Sequence, residues 1–411
     1  MFKVYQLENG IRLVVNKVSG VYSVAIGLFV GAGSANETPE ENGISHFIEH
    51  TTFKGTTTRS SLDIVKEIER IGADINAYTT RSETCYYVKS TAEHAEKSLE
   101  ILADMYKNSV YDDEELKKEQ GVVIQEIDMY DDVAEDLCLD VVMGAYYGDN
   151  GYGQTILGKK KNVKRFSHDE VMAYRNKYYT TDNLVVSICG GIDFDKAYEL
   201  TNKYLGDIKK STRHATPTIN LQNLSQSLAV NKKINQTHIA FGFDGLSSSD
   251  ENCLLLNTAV NILGGGASSR LFQTIREKMG LCYSVYAYYT AFKSSGMIAI
   301  YAGIEKGKTD DYINAVLAEI DKFKAEKITE EEFLCAKELM KSSLIFSKES
   351  VLGQMQYMGK RLLHFGKIDT FKKRLDKVNK ITKDAVNGLI DGFFDVNTMS
   401  KAIVGDNVKP L

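Results

Sequence analysis

The opening of the chain alternates between apolar and polar residues. Val4 to Gln6, Arg12 to Asn16 and Val21 to Phe29 follow the two-residue period of strands, the first two as a hairpin. Ser61 to Ile71 switches to helical spacing, with Ser60 or Ser61 as its cap and Gly72 as its stop. Ala73 to Thr79 and Thr84 to Ser90 alternate again, like paired strands. Long amphipathic helices follow, among them Glu114 to Asp132. Strands bunched early and late with helices between them predict an α+β fold, a mainly antiparallel sheet with helices on one face.

The pattern then repeats. VAIGLFVGAGSANE (Val24 to Glu37) is echoed by IAFGFDGLSSSDE (Ile239 to Glu251), and IERIGADINAYT (Ile68 to Thr79) by IREKMGLCYSVYAY (Ile275 to Tyr288). SLEILADMYKN (Ser98 to Asn108) returns as INAVLAEIDKF (Ile313 to Phe323). DNLVVSICGGID (Asp182 to Asp193) returns as VNTMSKAIVGDN (Val396 to Asn407). Most copies lie about 215 residues apart and in the same order, a spacing too long for a solenoid. Two homologous domains are expected, 1–206 and 222–411. The polar stretch DIKKSTRHATPTINL, with Pro217, forms a linker over 207–221.

Composition narrows the function classes. With 411 residues, 43% hydrophobic and 26% charged, the chain has the make-up of a soluble globular protein. A net charge of −5 provides no basic footprint for nucleic acid. No apolar run is long enough for a membrane span, and the N-terminal stretch lacks the core of a signal peptide. The six cysteines form no CxxC pair, which argues against a thiolate metal site. They read as reduced, buried residues of a cytoplasmic protein.

One short stretch departs from these patterns. HFIEH, His46 to His50, puts two imidazoles at i and i+4 with a glutamate between them. On a helix they share one turn, the spacing at which two histidines bind zinc while the glutamate takes a proton from water. A solvated helix face would also explain three polar groups there. A catalytic zinc needs a third protein ligand. The acidic helix Glu114 to Asp132 can supply it, with Val122, Val123 and Ile124 marking its buried face. Spacing alone does not choose among Glu115, Glu119 and Glu126.

Longer matches narrow the choice. NGISHFIEHTTFKGTTTRS (Asn42 to Ser60), IGADINAYTTRSETCYYV (Ile71 to Val88), EQGVVIQEI (Glu119 to Ile127) and YGQTILG (Tyr152 to Gly158) resemble the pitrilysin-type zinc metallopeptidases. GGGASSRLFQTIREKMGLCYSVYAYY (Gly264 to Tyr289) extends the likeness into the second half. The resemblance is to the short, two-domain branch that includes the mitochondrial processing peptidase and its bacterial relatives. It implies one zinc per chain, with His46, His50 and Glu126 as ligands and Glu49 as general base. It assigns Glu119 to catalytic support. Asn76 and Ala77, on an exposed strand edge, would hold an extended peptide near the scissile bond. Arg276 and Tyr283 would bind substrate, and Tyr283 would also stabilise the oxyanion. In the second half, NILGG (Asn261 to Gly265) replaces HFIEH, so no metal is expected there. Thr51 and Thr52 stand where relatives carry apolar residues. The resemblance implies a zinc endopeptidase for unfolded or short peptides, working as a homodimer whose two chains enclose a chamber. The alternatives are a catalytically silent partner subunit and a peptide-binding module.

Overall fold

The computed structural model describes residues 2–149, 151–213 and 221–411. Most of the expected linker, residues 214–220 with Pro217, lies outside the described residues. The chain divides into two compact units, each built on one sheet.

The first unit holds β1 (Phe2–Gln6), β2 (Arg12–Lys17), β3 (Ser23–Val30), β4 (Asp74–Thr79), β5 (Thr84–Thr91) and β6 (Leu184–Gly190). They are ordered β1-β2-β6-β3-β5-β4, and the β2–β6 pair is parallel while the others are antiparallel. In the second unit β7 (Ser227–Asn231), β8 (Gln236–Gly245), β9 (Cys282–Ala291), β10 (Gly296–Glu305) and β11 (Ser400–Gly405) take the order β7-β11-β8-β10-β9. That is the first sheet again without β1, down to the one parallel pair, β11 with β7. The duplication seen in the sequence is therefore a duplication of topology.

The helices of the first half are α1 (Ile44–Thr52), α2 (Ser61–Arg70), α3 (Ala95–Asn108), α4 (Asp113–Asp132), α5 (Ala134–Tyr147), α6 (Lys160–Val163), α7 (His168–Tyr178) and α8 (Phe194–Leu205). The second half supplies α9 (Cys253–Gly264), α10 (Thr309–Glu326), α11 (Glu330–Glu349), α12 (Val351–Phe365), α13 (Phe371–Asn379) and α14 (Lys383–Ile390). Ser60 caps α2, its hydroxyl accepting from Asp63 N–H while the Asp63 carboxylate returns the bond.

Each unit borrows one segment from the other half of the sequence. Ile345–Asp369, with α12, belongs to the first unit, and Asp128–Gln154, with α5, to the second. The contiguous halves 1–206 and 222–411 thus differ from the packed units by a reciprocal exchange. In the first unit, alternate residues of β3 face opposite sides. Val24, Ile26 and Leu28 pack with α3 residues such as Leu99 and Leu102, while Ala25 and Phe29 meet Met355, Met358 and Leu362 of α12. Both faces of the strand are covered, which explains why VAIGLFV is continuously apolar. Two glycines let α12 approach. A Cβ on Gly359 would lie 2.2 Å from the Phe29 ring, and one on Gly27 would lie 2.5 Å from Met355 Sδ. In the second unit α5 lies on the sheet in the same way, with Ser400 Oγ donating to Ala145 O at 3.1 Å. Helices on one face are the expectation from sequence; the borrowed helix adds a cover on the other.

None of the six cysteines forms a disulfide, but Cys253 and Cys282 are only partly buried and Cys335 is exposed, so just Cys85, Cys138 and Cys189 sit in the core as expected. Among the described residues no helix is long and apolar enough to cross a membrane.

Candidate metal centre

Ile44, Phe47 and Ile48 anchor α1 in the core of the first unit. At 100° per residue that leaves His46, Glu49 and His50 together on the other side of the helix. The side chain of Glu126, from α4, reaches the same place. Its Oε2 lies 3.7 Å from His46 Nε2 and 3.3 Å from His50 Nε2. Ligand atoms of these three residues all lie within 4.8 Å of one another. Nitrogen and oxygen ligands of tetrahedral zinc sit about 3.3 Å apart, from bond lengths near 2.0–2.1 Å. Glu126 Oε2 is buried and makes no hydrogen bond among the described residues. A carboxylate oxygen facing two imidazole nitrogens at these distances fits a cation ligand. The donor set therefore suits zinc.

Neighbouring side chains tune the three. His50 Nδ1 is held by Glu119 Oε1 at 2.9 Å, and Glu119 Oε2 by Lys54 Nζ at 2.6 Å. This is the carboxylate–histidine contact that orients metal-bound imidazoles. In the metal-free protein, burial works against a charge on His50. Glu119 and Glu126 outweigh it and raise its pKa to about 9. Burial, helped by His50, pushes His46 down to about 4, so it stays neutral and its lone pair free. For Glu119 too, burial is outweighed by its partners and the carboxylate is held below its ordinary range. Glu49 behaves differently. Burial raises its pKa, with a Thr79 hydroxyl bond at 2.5 Å pulling the other way. A carboxylate that is not a ligand, made more basic beside the ligand cluster, has the properties a general base requires.

β4 is the edge strand of its sheet, with Asn76 exposed and Ala77 partly buried. The Ala77 N–H donates to Asn76 Oδ1 at 2.7 Å, so any added strand would compete with that side chain. The face of α4 is less buried than its sequence suggests. Val123 is fully enclosed, but Val122 is 47% exposed.

The second unit carries Arg276 on a π-helical segment, Phe272–Lys278, and Tyr283 at the start of the edge strand β9. The Arg276 guanidinium lies 4.5 Å from the Phe272 ring and 5.2 Å from the Tyr283 ring. Tyr283 is 79% exposed. A stacked arginine beside an open tyrosine suits a carbonyl or carboxylate. The positions matching the metal ligands read Asn261, Gly265 and Ser343, and that matching Glu119 reads Ala336. These four residues line a cavity of about 530 Å³ between α9 and α11. Ligand side chains have been replaced by smaller ones, and no metal cluster forms there among the described residues.

Lys54 and Thr79 are site residues that sequence reasoning did not single out. Neither stands at helical spacing from the pattern in a way that marks its role, and only the fold brings them to Glu119 and Glu49.

Residues 13–160 match the family described as "Insulinase (Peptidase family M16)", and residues 165–340 the "Peptidase M16 inactive domain". The zinc protease YmxG of Bacillus subtilis, described as uncharacterized, is 39% identical over 96% of both chains. A zinc protease of Rickettsia felis, also so described, is 34% identical over 99% of this chain and 98% of its own. A Helicobacter pylori protease superposes with a TM-score of 0.91, at 21% identity, over 98% of this chain and 99% of its own. A structure described as the M16 inactive domain from Pseudomonas fluorescens superposes at 0.90, with 17% identity, over 99% of this chain and 98% of its own. The duplicated α+β units, the His46–His50–Glu126 cluster and relatives matched over nearly their full length place this chain in peptidase family M16, the insulinase family.

Proposed function

We propose that the protein is a zinc-dependent endopeptidase acting on short or unfolded peptides. The observation that carries this reading is Glu49, a partly buried carboxylate of raised pKa standing next to a three-ligand set without belonging to it. His46, His50 and Glu126 would hold one zinc per chain. Zinc supplies Lewis acidity toward the peptide carbonyl and brings the pKa of water near neutrality. Glu49 accepts the proton of the attacking water and passes it to the leaving amine. Glu119 holds His50, and Lys54 holds Glu119. The edge of β4 at Asn76 and Ala77 receives the peptide as an added strand, a mode that asks little of its sequence. Arg276 and Tyr283 bind the peptide further, with Tyr283 donating to the oxyanion. Replacing Glu49 by Gln keeps the shape and removes the base. Zinc content is expected to hold while turnover of an unstructured peptide falls at least about a hundredfold. Normal turnover by zinc-loaded Glu49→Gln would remove the assignment.

The relatives' description as zinc proteases supports this reading over a silent subunit. The loss of ligand residues is confined to the second half, the part that matches the inactive domain. We further propose that two copies of this chain close around the substrate. One chain carries both the ligand cluster and the Arg276–Tyr283 pair, so an identical partner suffices.

A further inference from the structure

The two histidines of the ligand cluster are not held alike. His50 is oriented from behind by Glu119. His46 has no such support, since its Nδ1 is buried and has no hydrogen-bond partner among the described residues. Metal-bound imidazoles ordinarily use that second nitrogen to fix the ring. His46 must therefore be positioned by its surroundings and by the backbone it stands on.

That backbone is the first turn of α1, and it lacks a cap of its own. The N-cap, Gly43, has φ +102° and no side chain to offer. The missing acceptor comes from Glu37, six residues upstream and only 1% exposed. Its Oε2 accepts from Gly43 N–H at 2.7 Å and its Oε1 from Ser45 N–H at 2.8 Å. Asn42 Nδ2 donates to Oε2 at 3.1 Å and also reaches Thr155 O at 2.9 Å. Burial pushes the Glu37 pKa up to about 7, against the pull of these donors. Two backbone N–H groups and an amide donate to its oxygens, so the carboxylate is the form this pocket receives, at the positive end of a helix. A second brace prevents the turn from sliding. Gly43 and Gly158 touch, and a Cβ on either would come within 3 Å of the other's Cα.

We propose that Glu37 is a positioning residue for the metal centre, fixing His46 through the backbone of residues 43–45. The proposal rests on the metal-ligand reading above. It assigns to a buried carboxylate remote from the ligand atoms the task that Glu119 performs for His50.

The test measures metal affinity and not activity. Glu37→Gln keeps the volume but turns an amide NH₂ toward a backbone N–H. Its zinc dissociation constant, measured by competition with a chelator on folded protein, is expected to rise about 10–100-fold, the scale for loss of groups that orient ligands. The visible absorption of the cobalt-substituted protein should shift in the same variant. A clamp with only a structural role would lower the melting temperature of zinc-free protein and leave zinc affinity unchanged, and that result overturns the proposal. Should Glu37→Gln not fold, Asn42→Ser, which keeps the carboxylate and removes one of its donors, must weaken zinc in the same direction. Unchanged affinity there is equally fatal. Tyr174→Phe is the control. It removes a 2.8 Å hydroxyl contact to Ser45, whose side chain also bonds Glu37, while leaving the carboxylate and its backbone donors in place, so zinc affinity should fall far less than in Glu37→Gln; an equal loss in this variant denies Glu37 any special role. Wild-type protein that takes up no zinc would instead sink the metal reading itself, and this proposal with it.

Discussion

Glu49 and Thr79 set the chemistry at the scale of single residues. Their 2.5 Å hydrogen bond holds the carboxylate and lowers a pKa that burial has raised. Thr79→Val should raise that pKa again, so the acidic limb of the rate profile should move to higher pH. Hydrogen bonds to charged groups contribute about 1.5–3 kcal/mol, so a loss of roughly 10- to 100-fold in kcat is expected, with recovery in Thr79→Ser. Profiles of kcat/KM against pH on a fluorogenic peptide check both. His50 makes a second prediction. In zinc-free protein its pKa is raised from 6.5 to about 9. A raised histidine stabilises the fold below its unfolded pKa, and that contribution is lost as pH rises through the folded value. Zinc-free protein should therefore lose stability between about pH 6.5 and 9 in urea titrations, and His50→Gln should flatten that slope. Zinc must displace the same proton, so binding should release protons to buffer near neutral pH.

At the scale of elements, α1 and α12 show how secondary structure serves the site. α1 tolerates Thr51 and Thr52 in its apolar setting because their hydroxyls fold back on the helix. Thr51 Oγ1 donates to Phe47 O and Thr52 Oγ1 to Ile48 O, both at 2.7 Å, so the polar atoms are satisfied inside the core. α12 covers the outer face of the first sheet through its contact at Gly359. Gly359→Ala would drive a methyl into the Phe29 ring, and overpacking of this kind costs about 1–3 kcal/mol. Chemical denaturation should record that loss. α12 also reaches the turn beyond β4. The buried Glu83 bonds His364 Nε2 at 2.7 Å and Lys360 Nζ at 3.1 Å. Burial raises the pKa of Glu83, but these partners outweigh it and hold it below the usual range. The stability it contributes is present above about pH 4.5 and lost as pH falls.

At the scale of the whole molecule, the proposed chamber needs two chains. If the ligand cluster of one subunit works with Arg276 and Tyr283 of the other, two inactive variants should complement. Mixing Glu49→Gln subunits with an Arg276→Ala, Tyr283→Ala double variant should restore activity to a fraction of sites. No recovery despite measured subunit exchange would exclude sharing, and a fully active monomer by light scattering would exclude the dimer. An enclosed site should also spare folded proteins while cutting the same chains once denatured.

Much of this was legible in the linear sequence. Periodicity located the first five strands and α2, and it narrowed the α2 cap to Ser60 or Ser61, of which the structure uses Ser60, because local hydrogen bonding decides such ends. The copies about 215 residues apart announced two similar domains, and the two sheets repeat one strand order. The i, i+4 geometry of a helix put His46 and His50 on one turn before any tertiary contact was known. Spacing could not choose Glu126 over Glu115 or Glu119, because the phase of α4 against α1 depends on packing between helices. The partners of Glu49, Glu119 and Glu37 were illegible for a related reason. Short polar side chains carry no periodic signal, and their roles arise from contacts across 30, 65 or only 6 residues of chain. The exchange of α5 and α12 lay furthest from reach. An amphipathic helix declares that it has an apolar face, while only the assembled sheets, with glycines at positions 27 and 359, decide which surface that face will cover.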